Sequence, residues 1–206
     1  MKDTNKLDKL ETKARQEVKL DQDLILLTIC ASLLAVYGVK MSNDYILIGA
    51  MLVSPLFDPV ISSVVFLVGQ KSREFITSMK ALLVAILISL FSSGIFWVVL
   101  RLFGLMDSVN YNRPAVSIDI LGVSILMGIV GTLMWIWPKT SNTSAGVAIA
   151  ISLVPPITNL TLFLILGDYS WALEYLFILM INIVGIYIGS LGVLKLYSKG
   201  KYASRL

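Results

Sequence analysis

Histidine is absent from this 206-residue chain. With it go the commonest metal ligand, the usual general base and the side chain that most readily titrates near neutrality. One cysteine, Cys30, excludes an intrachain disulfide and any thiolate cluster; it lies inside an apolar run and reads as a small packing residue. Charged residues make up only 15% of the chain. No glycine-rich loop ending in Gly-Lys-Ser/Thr is present, so the chain does not drive itself with ATP through such a loop. An intramembrane aspartyl protease needs two carboxylates in one site. Asp58 has no evident second, because Asp119 and Glu174 fall near the starts of other apolar stretches. These absences point away from an enzyme, a resident metal and a cofactor.

What the chain has is apolar length. It is 57% hydrophobic, with a mean hydropathy of +0.84, more than a soluble domain of this size can hide. Roughly 20 apolar residues cross a bilayer. Six stretches qualify, near 24–40, 45–69, 75–103, 117–137, 145–166 and 171–195, the third long enough to tilt. The expected fold is an all-α membrane protein: a charged arm at 1–23, a six-span domain at 24–197 and a basic tail at 198–206. The stretches are too long and too many for a signal peptide and the first residues are charged, so no cleaved leader is expected. With the N-terminus inside, 14 of the 17 Lys and Arg fall on the cytoplasmic side, and only Lys40, Arg101 and Arg113 fall opposite. That split predicts a multi-pass protein of the plasma membrane with both termini cytoplasmic. The net charge of +4 follows from this topology, and no nucleic-acid partner is expected. Trp97, Trp135, Trp137 and Trp171 lie at or near span ends, where interfacial anchors would sit.

The arm carries six basic and six acidic residues, with Leu7, Leu10, Ala14 and Val18 in a thin apolar stripe and Glu11 and Arg15 paired at i,i+4. It reads as a short surface helix that lies on the membrane, docks on the protein or joins a coiled coil; a solvated arm is the plain alternative.

Two stretches are interrupted. The second carries Pro55, Asp58 and Pro59 near its middle, and the fifth carries Pro155 and Pro156, then Thr158, Asn159 and Thr161. A proline removes a backbone donor and clashes one turn back, so both spans are expected to break near the midplane. Pro55 and Pro155 are 100 residues apart, and each interrupted span is the middle of three. Three is odd, so the halves, 24–103 and 117–197, form an expected 3+3 inverted repeat. Interrupted spans in corresponding positions of two such halves point to a binding site of transporter type.

Asp58 is the only acid near the centre of any span, where burying a charge costs about 2.5–3.5 kcal/mol. Three roles are open to it: binding a cation or proton, contacting a polar or cationic solute, or capping the half-helix that begins near Pro59. Ser54, Ser62 and Ser63 can add oxygens, Ser54 foremost. Thr158, Asn159 and Thr161 are expected to face Asp58 across the repeat axis, with Asn182 as a further midplane polar group or an interhelical hydrogen bond. The expected site is therefore Ser54, Pro55, Asp58, Pro59, Pro155, Pro156, Thr158, Asn159 and Asn182. Half-helix N-termini and free carbonyls together suit either an anionic group or a small cation. The glycines of the fourth and sixth spans, including the GxxxG pair Gly185 and Gly189, read as sites of close helix approach.

GAMLVSPLFDPV (Gly49–Val60) and AGVAIAISLVPPI (Ala145–Ile157) resemble the paired motifs of a microbial membrane family known as the "uncharacterised hydrophobic domain" family, a domain of unknown function. Gly49, Ala50, Met51, Leu52, Pro55, Leu56 and Pro59 match its first segment. Ala145, Gly146, Val147, Ala148, Leu153, Val154, Pro155 and Pro156 match its second. The resemblance covers most of 24–195 and implies that many members carry a larger soluble domain, where this chain has only its arm. It confers no activity. The residues lead us to expect a small secondary transporter or channel for an ion or small solute, embedded in lipid and compatible with a homo-oligomer. The alternative is a non-transporting scaffold or sensor subunit acting through the charged arm.

Overall fold

The computed structural model describes residues 4–106, 116–137 and 142–198, and side chains over 7–106, 116–137 and 153–198. The loop at 107–115 with Arg113, Lys139, the tail from 199 and the side chains of the AGVAIA half of the second motif lie outside the described residues. Among the described residues all regular structure is helical: α1 (Thr4–Glu17), α2 (Gln22–Lys40), α3 (Asp44–Val53), α4 (Phe57–Val68), α5 (Ser72–Leu102), α6 (Ile118–Ile136), α7 (Asn142–Leu166) and α8 (Tyr169–Ser198).

Local chemistry sets the boundaries. Asp21 caps α2, accepting a hydrogen bond from the Leu24 N–H at 3.0 Å, and Asn43 caps α3 through the N–H groups of Tyr45 and Ile46. The break between α3 and α4 follows from Pro55. A residue before proline is pushed out of the helical region, and Ser54 is extended, with ψ 125°. Pro59 does not interrupt α4, because it lies in the first turn, where backbone N–H groups have no partner inside the helix.

Among the described residues, four helices, α2, α5, α6 and α8, are long and apolar enough to cross a membrane, and α3 with α4, bent by 51°, makes a fifth if the pair is one span. Exposed Phe91, Ile95, Leu126 and Phe177 give the outer faces of α5, α6 and α8 an apolar surface. The molecule is a helical protein compatible with several passes through a bilayer.

The break expected at Pro155–Pro156 does not form: α7 runs unbroken from Asn142 to Leu166 with both prolines inside. The reason lies in packing. α7 is the central helix, set against α2, α3, α4, α5, α6 and α8. Leu153, Val154 and Ile157 around the prolines are fully buried. Such neighbours hold a helical path through prolines that would interrupt an isolated helix.

α6 and α8 share the most extensive helix–helix contact. A Cβ on Gly128 would lie 2.9 Å from the Ile186 Cα, and one on Gly189 would lie 2.9 Å from the Ile129 nitrogen. Only glycine admits that approach, which places Gly128 and Gly189 at the crossing as the small-residue pattern suggested. Two tryptophans depart from the interfacial expectation. Trp97 and Trp135 are buried; the Trp97 N–H donates to the Thr158 carbonyl at 3.1 Å. Their indoles are spent on helix packing, while Trp137 remains exposed.

Candidate functional site

Asp58 is the second residue of α4, just past the bend. It is not the helix cap: that position is Leu56, which makes no side-chain hydrogen bond. In the first turn its carboxylate lies near the positive end of the helix dipole. Phe57 and every residue from Pro59 to Phe66 are buried, so within 57–66 Asp58 is the one residue not fully packed away.

The arm covers that stretch. α1 lies on α4 with Leu10 and Ala14 buried, Ala14 completely, and Val18 just past its end is buried too. The stripe read from the sequence is thus the docking face, and the solvated-arm alternative does not hold for α1. One flank of α1 reaches the end of α6. The Lys13 ammonium donates to the Trp135 carbonyl at 3.1 Å and stands 4.3 Å from the centre of its ring. Lys13 and Glu17 are also the charged side chains whose fields act on the Asp58 carboxyl. The other flank reaches α5: Arg15 pairs with Glu74 at 2.5 Å, and buried Glu11 lies 3.9 Å from Lys71.

Two buried side-chain polar atoms are left without a good hydrogen bond among the described residues, Trp135 Nε1 and Ser62 Oγ. The indole N–H reaches toward the Asp58 carboxyl but closes no well-shaped bond. Ser62 is one helical turn from Asp58 on α4, so the two share a stripe. An acid, an unanswered donor and an unanswered hydroxyl are a group that a small polar solute or a hydrated cation would complete.

The other expected site residues are distributed differently. Ser54 is buried at the end of α3, its N–H bonded to the Ala50 carbonyl at 3.2 Å, and Pro55 and Pro59 shape the bend beside Asp58. Thr158 bonds the Val154 carbonyl at 3.1 Å, and the Asn159 amide bonds the Pro155 carbonyl at 3.0 Å, both within α7. Among the described residues no hydrogen bond joins them, or Pro155 and Pro156, to Asp58. Asn182 accepts from the Ser124 hydroxyl at 2.7 Å, tying α8 to α6, the interhelical bond named as its alternative. Ser63 is spent on the Val60 carbonyl and the Tyr187 hydroxyl.

Two features escaped the sequence reading. Lys13 and Glu17 join Asp58 through the docked arm and Trp135 through α6, and no spacing links them. A ladder of buried hydroxyls also crosses three helices. Ser32 on α2 meets Ser89 on α5 at 2.8 Å, and Ser93 on α5 meets Thr161 on α7 at 3.0 Å. Its signal was present in the one-turn spacing of Thr28 and Ser32 and of Ser89 and Ser93. Each hydroxyl also bonds a carbonyl of its own helix or its neighbour's hydroxyl, as interhelical polar contacts do in lipid.

Comparison with known proteins adds family but no task. The family model described as a domain of unknown function, DUF389, matches residues 51–188. An uncharacterized protein of Methanocaldococcus jannaschii is 22% identical over 183 residues, which are 89% of this chain and 57% of that protein. The chain therefore spans somewhat over half the length of that relative. No solved structure matches it.

Proposed function

This chain belongs to the family DUF389, and from that premise we propose that it is a small secondary transporter or channel of the plasma membrane, carrying a cation or small polar solute past Asp58. The observation that carries the reading is the polar group at the bend of α3–α4: one carboxyl, flanked by the unanswered Trp135 N–H and Ser62 hydroxyl, roofed by a helix that contributes Lys13. Irregular backbone at membrane depth is tolerated where protein or a water-filled cavity covers it. Lys13 acts as a tethered cation, holding the place of the solute's charge until the arm moves.

Six passes in a 3+3 repeat, with both termini cytoplasmic, fit this reading. α2 and α6 are both 19 residues long, α5 and α8 are 31 and 30, and α3, its break and α4 cover 44–68, the length of α7. The starts Gln22 and Ile118, Asp44 and Asn142, Ser72 and Tyr169 pair at an offset slightly shorter than that of Pro55 and Pro155. At that offset Pro59 falls on or beside Pro156. One broken and one unbroken middle helix make the halves unequal, as expected of a repeat with a single site. The scaffold alternative draws less support, because the arm's apolar stripe is spent on its own α4.

The test is thermal unfolding of the detergent-purified chain with monovalent, divalent and organic cations. A ligand that binds only the folded state at a hundred times its Kd raises the melting temperature by about 5–10 °C. Asp58→Asn is expected to melt normally and to lose that shift. A shift that survives in Asp58→Asn would remove the carboxyl from the site.

A further inference from the structure

A second polar feature lies on the far flank of the arm. Between α1 and the start of α5 runs a cleft of about 600 Å³, lined by Arg15, Lys19, Arg73 and Lys80, with Val18 and Phe66 as its apolar floor. The acid lining it, Glu74, is held by Arg15 at 2.5 Å. Lys19, Arg73 and Lys80 make no ion pair among the described residues. The cleft sits where α5 changes character: Lys80 is the last charge before the uncharged run from Ala81 to Leu100. That is the level of a membrane surface. Below it α5 presents exposed Leu83 and Leu87.

We propose that this cleft holds the headgroup of an anionic phospholipid. The cations supply what a lipid phosphate needs at the plane where lipid phosphates lie, and clustered Lys and Arg beside a membrane surface select anionic lipids. Val18 and Phe66 receive the glycerol region, and the outward side of α5 receives the acyl chains. A free phosphate would use the cations and leave the apolar floor and the outward face unused. Since Arg15 comes from α1, Lys19 from the segment just after it, and Arg73 and Lys80 from α5, one bound lipid bridges arm and bundle and holds α1 against α4.

The experiment is native mass spectrometry and melting of the full chain in detergent with dioleoylphosphatidylglycerol, dioleoylphosphatidylcholine or inorganic phosphate. One phosphatidylglycerol is expected to stay bound per chain, about tenfold more tightly than phosphatidylcholine. The combined variant Lys19→Gln, Arg73→Gln, Lys80→Gln should melt as the parent does without lipid and lose that preference. Lys40→Gln with Lys195→Gln, a charge loss elsewhere, should keep it. Equal retention of both lipids, or an unchanged preference in the triple variant, overturns the site. Displacement of the lipid by millimolar phosphate overturns the lipid assignment in favour of a soluble phosphate compound. None of these readouts involves transport, so the proposal stands or falls apart from Asp58.

Discussion

Ala14→Asp is expected to release the arm and open α4 to water. Ala14 is fully buried between α1 and α4, and aspartate is too short to carry its charge back to the surface. An unpaired polar group at such a position costs at least about 2 kcal/mol, and each 1.4 kcal/mol is about a factor of ten in the docked population. The bundle of α2 to α8 has its own core and should stay folded. The readout is Ser62→Cys in a Cys30→Ser background, labelled with a charged thiol reagent. Adding Ala14→Asp should speed labelling by about tenfold or more. An unchanged rate would mean that α1 does not guard α4. Lys13→Met, which leaves the apolar stripe intact, should speed labelling much less.

Trp97→Ala should produce a large loss of stability. Its indole is fully enclosed among α2, α5 and α7, with Val36, Leu100 and Leu162 in the same cluster, and its N–H serves the Thr158 carbonyl. Removing so large a buried side chain typically costs about 3–5 kcal/mol, because the surroundings collapse only in part. Trp97→Phe keeps most of the volume and loses the hydrogen bond, worth about 0.6–2 kcal/mol between membrane helices. Unfolding in detergent should therefore rank parent, Trp97→Phe and Trp97→Ala in that order. A mild Ala variant would show that Trp97 is not a keystone of the α5–α7 contact.

The apolar runs, the arm stripe and the break after Ser54 were all legible in the sequence, because each depends on local chemistry: length, helical spacing and the restriction a proline places on its predecessor. The fate of Pro155 and Pro156 was not, because it is decided by six neighbouring helices and not by the prolines themselves. The same limit applied to the site. Asp58 stood out as an acid inside an apolar span, while Thr158 and Asn159, expected to face it, bond carbonyls of their own helix α7. Lys13 and Glu17, whose charges act on it, are brought in by the docking of α1, and Trp135 by the packing of α6, tertiary events without a spacing signature. Trp97 and Trp135 were misplaced for a related reason: a tryptophan near a span end looks the same in sequence whether it faces headgroups or a neighbouring helix.

The most direct measurement is flux into proteoliposomes holding the full chain, using the cation that raises its melting temperature, with the parent and Asp58→Asn reconstituted in equal amounts. The parent should move the cation, and Asp58→Asn should lose at least about tenfold of that rate, as removal of about 1.4 kcal/mol or more of binding requires, with an unchanged melting temperature in the absence of cation. Equal flux through the two proteins would contradict the assignment of Asp58 and its covered bend as the route across the membrane.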